Sequence, residues 1–265
     1  METKEKVYLF YKETEEMISH AELVKNALQK NGFIPCSTPH DASYIISIGG
    51  DNTFLQAIRK TGFRNDNVYL GVNIDQVGFY TDFMINDLDP LIHELQQSEQ
   101  DVRRYPVLEV SVDNKSPFYC LNECSIRSSI IKTLVLEVII DDHHFETFRG
   151  DGMIVSTPTG STAYNKSVGG AIIDPKLPSM QVSEVSSLNN NEFRTLGTSF
   201  ILGSERLLTL KVVQTGNEHP IIGVDNEALS IRKAKQVQIK LANRQVKVLK
   251  LKDNSFWHRV QRKFL

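Results

Sequence analysis

Near residue 100 the hydrophobic pattern of this chain changes its period, and few folds accommodate both patterns. Before that point, strand-like and helix-like segments alternate. "KVYLFYK" (6–12), "ASYIISI" (42–48) and "NVYLGVN" (67–73) are short apolar runs suited to strands. Between the first two, "EEMISHAELVKNALQKNG" (15–32) sets Met17, Ala21, Val24 and Leu28 at the spacing of an amphipathic helix, with Gly32 as its stop. "NTFLQAIRKTG" (52–62) and "DLDPLIHELQQSE" (87–99) read as further helices. Strands alternating with helices predict parallel pairing with crossover connections, hence a layered α/β domain.

After residue 100 the chain becomes β-rich. "PVLEVSVD" (106–113), "FYCLNECSIR" (118–127), "TLVLEVII" (133–140), "FETFRGDGMIVST" (145–157), "RLLTLKVV" (206–213) and "QVQIKLANRQVKVLKL" (236–251) read as strands. "IIDDHHFE" (139–146) and "ANRQ" (242–245) look like hairpin tips. The expected architecture is α/β + β: a Rossmann-like α/β domain over residues 1–100, then a β-sandwich-type domain over 101–265. The closing segment, about 252–265, carries Phe256, Trp257, Val260 and Phe264 at helical spacing and is expected to dock an apolar face on the N-terminal domain.

Composition narrows the function classes. A net charge of -2 over 265 residues gives no basic surface for nucleic acid. No apolar stretch reaches the roughly 18 residues of a membrane helix, and the start lacks the apolar core of a secretion signal. The cysteines, Cys36, Cys120 and Cys124, form no CxxC pair and are expected to be plain thiols in a reducing, cytoplasmic setting. His143 and His144 are adjacent in a probable tip and are expected to be solvated rather than metal-bound.

Two stretches carry chemistry. In "SIGGDNTFLQA" (47–57), Gly49 and Gly50 follow an apolar strand, and the helix is expected to start around Asn52 or Thr53 with Asp51 at the loop tip. Such a turn suits phosphate, because a helix N-terminus offers free N–H groups and partial positive charge. A carboxylate there can accept or orient a hydroxyl proton. On local chemistry alone, Asp51 or Thr53 capping the helix explains the stretch equally well. The second stretch, "FRGDGMIVSTPTGSTAYNKSVGGAIIDP" (148–175), runs from an apolar strand into a turn dense in hydroxyls. Ser161, Thr162, Tyr164, Asn165 and Ser167 offer donors, acceptors and one ring able to stack on a base, and a simple capped turn has the same composition.

"GGDNTFL" (49–55), "LNECSI" (121–126) and "RGDGMIVSTPTGSTAYNKSVGG" (149–170) resemble, in order and approximate spacing, the motifs of the NAD kinase family. The resemblance covers essentially the whole chain. The glycine-aspartate loop is shared with lipid kinases and phosphofructokinases, whereas the TPTGSTAY stretch is specific. The resemblance implies transfer of the γ-phosphate of ATP to the 2′-hydroxyl of the adenosine ribose of NAD, with Mg²⁺ or another divalent cation accompanying the donor and no prosthetic group. It implies that Asp51 orients or deprotonates that hydroxyl, and that Gly49, Gly50, Asn52 and Thr53 face phosphate. It further implies NAD binding by Asn122 and Glu123 at the ribose and diphosphate, and by Thr159, Thr162, Ala163, Tyr164, Asn165, Lys166 and Ser167 at the adenosine. Arg149, Asp151, Ser186 and Phe79 are implied at the nicotinamide end, Arg149 and Asp151 partly serving a neighbouring subunit. The implied assembly is a homodimer or homotetramer with shared sites.

Asn226 and Glu227 in "VDNEALS" (224–230) stay unassigned. The departure is Asn52, where most members have glycine; asparagine is the residue that best tolerates left-handed geometry in its place. A lipid or sugar kinase, or a non-catalytic dinucleotide-binding protein, are the alternatives these residues leave.

Overall fold

The computed structural model describes residues 5–213, 220–231, 233–252 and 254–265. The first part of the chain runs β1 (Lys6–Phe10), α1 (Glu15–Lys30), β2 (Ile34–Cys36), β3 (Tyr44–Ile48), α2 (Asp51–Lys60), β4 (Val68–Asn73), β5 (Phe83–Met84) and α3 (Asp89–Gln96). Strands then dominate: β6 (Val102–Val112), β7 (Phe118–Cys120), β8 (Glu123–Arg127), β9 (Leu134–Ile140), β10 (His143–Gly150) and β11 (Gly152–Ser156). A short helix, α4 (Tyr164–Ser167), precedes β12 (Ser179–Val185), β13 (Phe200–Gly203), β14 (Leu208–Val212), β15 (Ile221–Val224) and β16 (Glu227–Ala228). The chain closes with β17 (Gln236–Leu249) and α5 (Phe256–Phe264).

These elements form two compact units, one ending at Tyr105 and resuming over Gln245–Leu265, the other spanning Pro106–Arg244. In the first unit, β2, β1, β3 and β4 lie side by side in parallel, and Lys247 and Val248 of β17 pair in parallel with Val68 and Tyr69 of β4. Strand β3, "YIISI", is buried along its whole length, as a parallel strand covered on both faces must be. Helix α1 buries Met17, Ala21, Val24 and Leu28, the four residues its spacing selects. Thr14 caps it by accepting from the Met17 N–H at 3.3 Å, and Glu15 and Glu16 complement the positive end of its dipole.

The second unit is a pair of facing sheets. One contains β10, β9, β14 and the first part of β17 in antiparallel order. The other is antiparallel throughout, in the order β13, β12, β11, β8, β15, β16. Leu136, Phe148, Leu210 and Val237 from the first sheet share one apolar core with Ile126, Met153, Val182 and Ile222 from the second. Cys120 and Cys124 are buried in that core as free thiols, and Cys36 is half-buried.

The structure corrects several sequence readings. "ANRQ" is no hairpin tip: β17 passes through it unbroken, and the strand changes neighbours there, from β14 at Gln236–Ile239 to β4 at Lys247. Residues 118–127 are two strands with a turn at Leu121 and Asn122, and residues 145–157 are β10 and β11, which belong to different sheets. Helix α5 docks through a buried charge as well as apolar side chains: Arg259 is buried, Phe256 and Phe264 pack on the Phe79 ring, and Trp257 remains 47% exposed. Replacing Phe148, fully buried between the sheets, by Ala is expected to cost about 3–5 kcal/mol in urea unfolding, through lost burial and the cavity left behind.

Candidate functional site

The glycine loop joins β3 to α2. Gly49 has φ +136°, and a Cβ there would lie 2.5 Å from the Thr53 Oγ1, so only glycine fits. Gly50 is different: its φ is −78°, and an added Cβ would meet nothing within 4 Å. Helix α2 begins at Asp51 with Gly50 as its N-cap and no side-chain cap. Thr53 and Phe54 donate to the Gly50 carbonyl, whereas the N–H groups of Gly50, Asp51 and Asn52 have no protein acceptor among the described residues. Two expectations change here. Asp51 is the first helical residue rather than a loop tip, and Asn52 sits exposed in the first turn without positive φ, so its tolerance of left-handed geometry is not called upon.

The Asp51 carboxylate caps nothing in its own helix. Its Oδ2 accepts from the Phe79 N–H at 2.7 Å. Its Oδ1 accepts from the N–H groups of Tyr80 and Thr81 at 3.0 and 3.2 Å and from the Thr81 hydroxyl at 3.1 Å. A Cβ on Gly78 would stand 2.1 Å from that Oδ1, so glycine lets the 78–81 loop close over the carboxylate. Asn73, at the end of β4, donates to the Thr81 hydroxyl at 2.8 Å and orients it. The Phe79 ring packs on Phe256 and Phe264 of α5, with centroids 6.1 and 5.9 Å away.

Below this loop lies a buried charge cluster. Lys250 donates to the carbonyls of Phe79 and Tyr80 at 3.0 and 2.8 Å and to Asp82 Oδ1 at 3.0 Å. Arg259 reaches the same Asp82 oxygen at 3.0 Å. Burial pushes the Lys250 ammonium down to about 8, against the opposing pull of Asp82.

In the second unit the Asn122–Glu123 turn meets the hydroxyl-rich segment. Thr157 donates its N–H to the Asn122 carbonyl at 2.8 Å and its hydroxyl to the Leu121 carbonyl at 2.5 Å. A Cβ on Gly160 would stand 2.0 Å from the Asn122 carbonyl, so the single 3₁₀ turn at Thr159–Thr162 lies directly on it. Thr159 is buried with its hydroxyl 3.0 Å from that of Thr157, while Thr162, Ala163 and Tyr164 are half-buried and Lys166 and Ser167 exposed. Arg127 lies over the Tyr164 ring, 5.7 Å from its centroid. Asn165 is fully buried: its amide donates to the carbonyls of Ser161 and Ala171 and accepts from the Ser183 hydroxyl at 2.7 Å.

Arg149, Asp151 and Ser186 gather elsewhere. Asp151 donates its N–H to the Val185 carbonyl at 2.9 Å, and Arg149 lies over the Phe193 ring at 4.0 Å. This group stands at the Gly152 end of β11, whereas the Asn122–Glu123 turn stands at the Ser156 end, where Ser156 pairs with Glu123. At ~3.3 Å per residue the strand separates the two groups by ~13 Å.

Sequence reasoning missed Asp225, whose carboxylate accepts from the N–H groups of Leu121 and Asn122 at 3.2 and 2.7 Å. It lies next to Asn226 and Glu227, in a stretch where the family resemblance places a binding turn without singling out a residue. Burial, then the charge of Asp225, raises Glu123 to about 8, and one of its oxygens, Oε2, has no hydrogen-bond partner among the described residues. Glu123 is therefore largely protonated at neutral pH, able to donate as well as accept. The folded state holds this proton where the unfolded chain has lost it. Its stabilising contribution is thus full below about 4.5 and lost as pH rises through about 8. Glu123→Gln is expected to raise Tm by several degrees near pH 8, with the gain shrinking toward pH 4.5; equal shifts at both pH values in thermal melts would exclude this account.

Comparison with known proteins agrees across the chain. Residues 1–100 match the ATP-NAD kinase N-terminal domain and residues 121–251 the ATP-NAD kinase C-terminal domain. "NAD kinase 2" of Halalkalibacterium halodurans is 60% identical over 265 residues, covering 100% of both chains. "NAD kinase 2" of Bacillus subtilis is 57% identical, covering 98% of this chain and 97% of its own. Two solved structures share the fold: a yeast NADH kinase complexed with NADH, at TM-score 0.81 and 17% identity over 98% of this chain and 87% of its own, and an NAD kinase from Archaeoglobus fulgidus in complex with ATP, at 0.77 and 21% over 98% and 97%. On the glycine-aspartate loop, the hydroxyl-rich turn and these full-length matches, the chain belongs to the ATP-NAD kinase family.

Proposed function

We infer that this protein transfers the γ-phosphate of ATP to the 2′-hydroxyl of the adenosine ribose of NAD, giving NADP. The observation that carries the mechanism is Asp51: a carboxylate fixed by four donors, on the first residue of a helix whose leading N–H groups have no protein acceptor among the described residues. Phosphoryl transfer needs mainly positioning and charge neutralisation. Oδ1 already accepts three hydrogen bonds, and Oδ2 accepts one. Oδ2 therefore keeps a lone pair for the ribose hydroxyl. The hydroxyl oxygen forms the new bond to the γ-phosphorus, the bond to the bridging oxygen of ADP breaks, and the hydroxyl proton passes toward Asp51. The open space at Gly50 and the N–H groups of Gly50, Asp51 and Asn52 suit phosphate oxygens.

The Asn122–Glu123 turn, Thr162, Ala163 and Tyr164 suit the nucleoside, with neutral Glu123 donating to a sugar or phosphate oxygen. Asn165 supports this reading from within, by bracing the segment rather than touching ligand. Arg149, Asp151 and Ser186, some 13 Å along β11, are assigned to the site of a neighbouring subunit in a homodimer or homotetramer. Mg²⁺ or a similar ion is proposed to arrive with the triphosphate. Such an ion is held through one or two carboxylates and the substrate phosphates. When bound, it neutralises charge on the transferred phosphate. The proposed setting is the cytoplasm; among the described residues no helix is long and apolar enough to cross a membrane.

Incubation with Mg-ATP and NAD, followed by an NADP-specific enzymatic readout, tests the activity. NAD binding without NADP formation would point to a non-catalytic binder, and phosphorylation of a diacylglycerol or sphingoid base to a lipid kinase. Asp51→Asn is expected to lower kcat by about 10²-fold or more while leaving the Kd for NAD within about threefold; wild-type turnover in this variant would remove Asp51 from the mechanism.

A further inference from the structure

Lys250 has no place in the chemistry described so far, yet all three of its donors are spent within hydrogen-bond distance of the Asp51 loop. Two accept from it as carbonyls, Phe79 and Tyr80, and the third is Asp82. Nothing remains for a ligand. The two carbonyls belong to the peptide units Phe79–Tyr80 and Tyr80–Thr81. The opposite ends of the same two units, the N–H groups of Tyr80 and Thr81, are the groups that donate to Asp51 Oδ1.

Each peptide unit is a dipole with its positive end at the N–H and its negative end at the carbonyl. Here both units lie with the carbonyl toward a cation and the N–H toward an anion. Lys250, two oriented peptides and Asp51 thus form one favourable electrostatic sequence in a water-poor region, where such interactions are little screened. Arg259 provides a comparison inside the same cluster. It is as deeply buried as Lys250 and binds the same Asp82 oxygen at the same 3.0 Å, yet no hydrogen bond joins it to either peptide unit.

We propose that Lys250 is a positioning residue for phosphoryl transfer, holding the Asp51 carboxylate in register through the Phe79–Tyr80 and Tyr80–Thr81 peptides. This rests on the catalytic reading of Asp51. Arg259, by contrast, fastens α5 to Asp82 and donates to neither of the two peptide units.

The test compares Lys250→Met with Arg259→Met in the full-length protein. Each removes one of the two cations on Asp82 and leaves the other, so both lower Tm. Only Lys250→Met is expected to lower kcat, by about tenfold to a hundredfold at saturating NAD and ATP, with KM for NAD changed by less than about threefold. Equal kcat losses in the two variants, or unchanged kcat in Lys250→Met, would overturn the proposal. If Lys250→Met does not fold, the pH profile of Glu123→Gln, which lacks the other group near pH 8, decides. The groups facing Lys250 are Asp51 from α2, Asp82 before β5 and Arg259 from α5, with Arg103 and Tyr105 of β6 beside Asp82. Burial raises the Tyr105 phenol, which stays neutral, so Lys250 is the group of this cluster that loses charge near pH 8, the value Glu123 of the second unit shares. Turnover of Glu123→Gln at saturating substrate is expected to fall as pH rises through about 8, and a flat profile in that variant from about pH 7 to about pH 10 would overturn the role. Failure of the underlying reading looks different: the wild type makes no NADP, or Asp51→Asn keeps wild-type turnover.

Discussion

Asp82 is the constraint on which the Asp51 side of the first unit depends. A carboxylate with no exposure must find cations, because an uncompensated buried charge costs several kcal/mol. It finds two, Lys250 from the end of the last strand and Arg259 from the last helix. The closing residues of the chain are thereby drawn into the unit built by its opening residues. Lys250, once fixed, spends its remaining donors on the 78–81 loop, and that loop presents its N–H groups to Asp51. The order of cause runs from a buried ion pair to a loop conformation to the orientation of one carboxylate.

The second unit uses the same physical device at its own turn. Asp225 accepts the N–H groups of Leu121 and Asn122, as Asp51 accepts those of Phe79, Tyr80 and Thr81. A side-chain carboxylate that reads backbone N–H groups fixes a turn without demanding particular side chains from it. The cost is visible in Glu123, which is buried beside a second carboxylate and keeps its proton to about 8. Neutralising one of the two resolves a repulsion that burial would otherwise make severe.

Much of the architecture was legible because it rests on periodicity. The buried face of α1, the fully buried run of β3 and the β9–β10 hairpin follow from residue spacing alone. What escaped was whatever depends on partners far away in sequence. The polar "ANRQ" reads as a turn because polar residues seldom interrupt a strand, yet β17 is polar there as it leaves one sheet neighbour for another. In α5 the apolar spacing of Phe256, Trp257, Val260 and Phe264 points to a docking face, and Phe256 and Phe264 do meet Phe79, but Arg259 interrupts that pattern and only the distant Asp82 makes it a buried anchor. Candidate site residues were legible through family motifs, but their division of labour was not. Nothing local distinguishes Asn165, which is buried with its polar atoms satisfied by the protein, from Ser167, which is exposed two residues later. Asp225 and Lys250 lacked any local signature.

The glycines separate what the fold requires from what a ligand would require. Gly49 has positive φ and a side chain pressed against it, and Gly78 and Gly160 each lie where a Cβ would collide with Asp51 or Asn122. Protein contacts alone account for all three. Gly50 has an ordinary φ and open space where its side chain would be, so neither strain nor packing accounts for it. A methyl group there would stand beside the leading N–H groups of α2, on the approach an anion would use. The neighbouring Asn52 points the other way in this reasoning. In a helical first turn, glycine costs up to about 1 kcal/mol relative to good helix formers, so asparagine is no backbone concession. Its effect lies in its exposed side chain at the mouth of the same helix end. Donor preference, if it differs from that of relatives with glycine, would then arise from the amide side chain of Asn52 rather than from altered loop geometry.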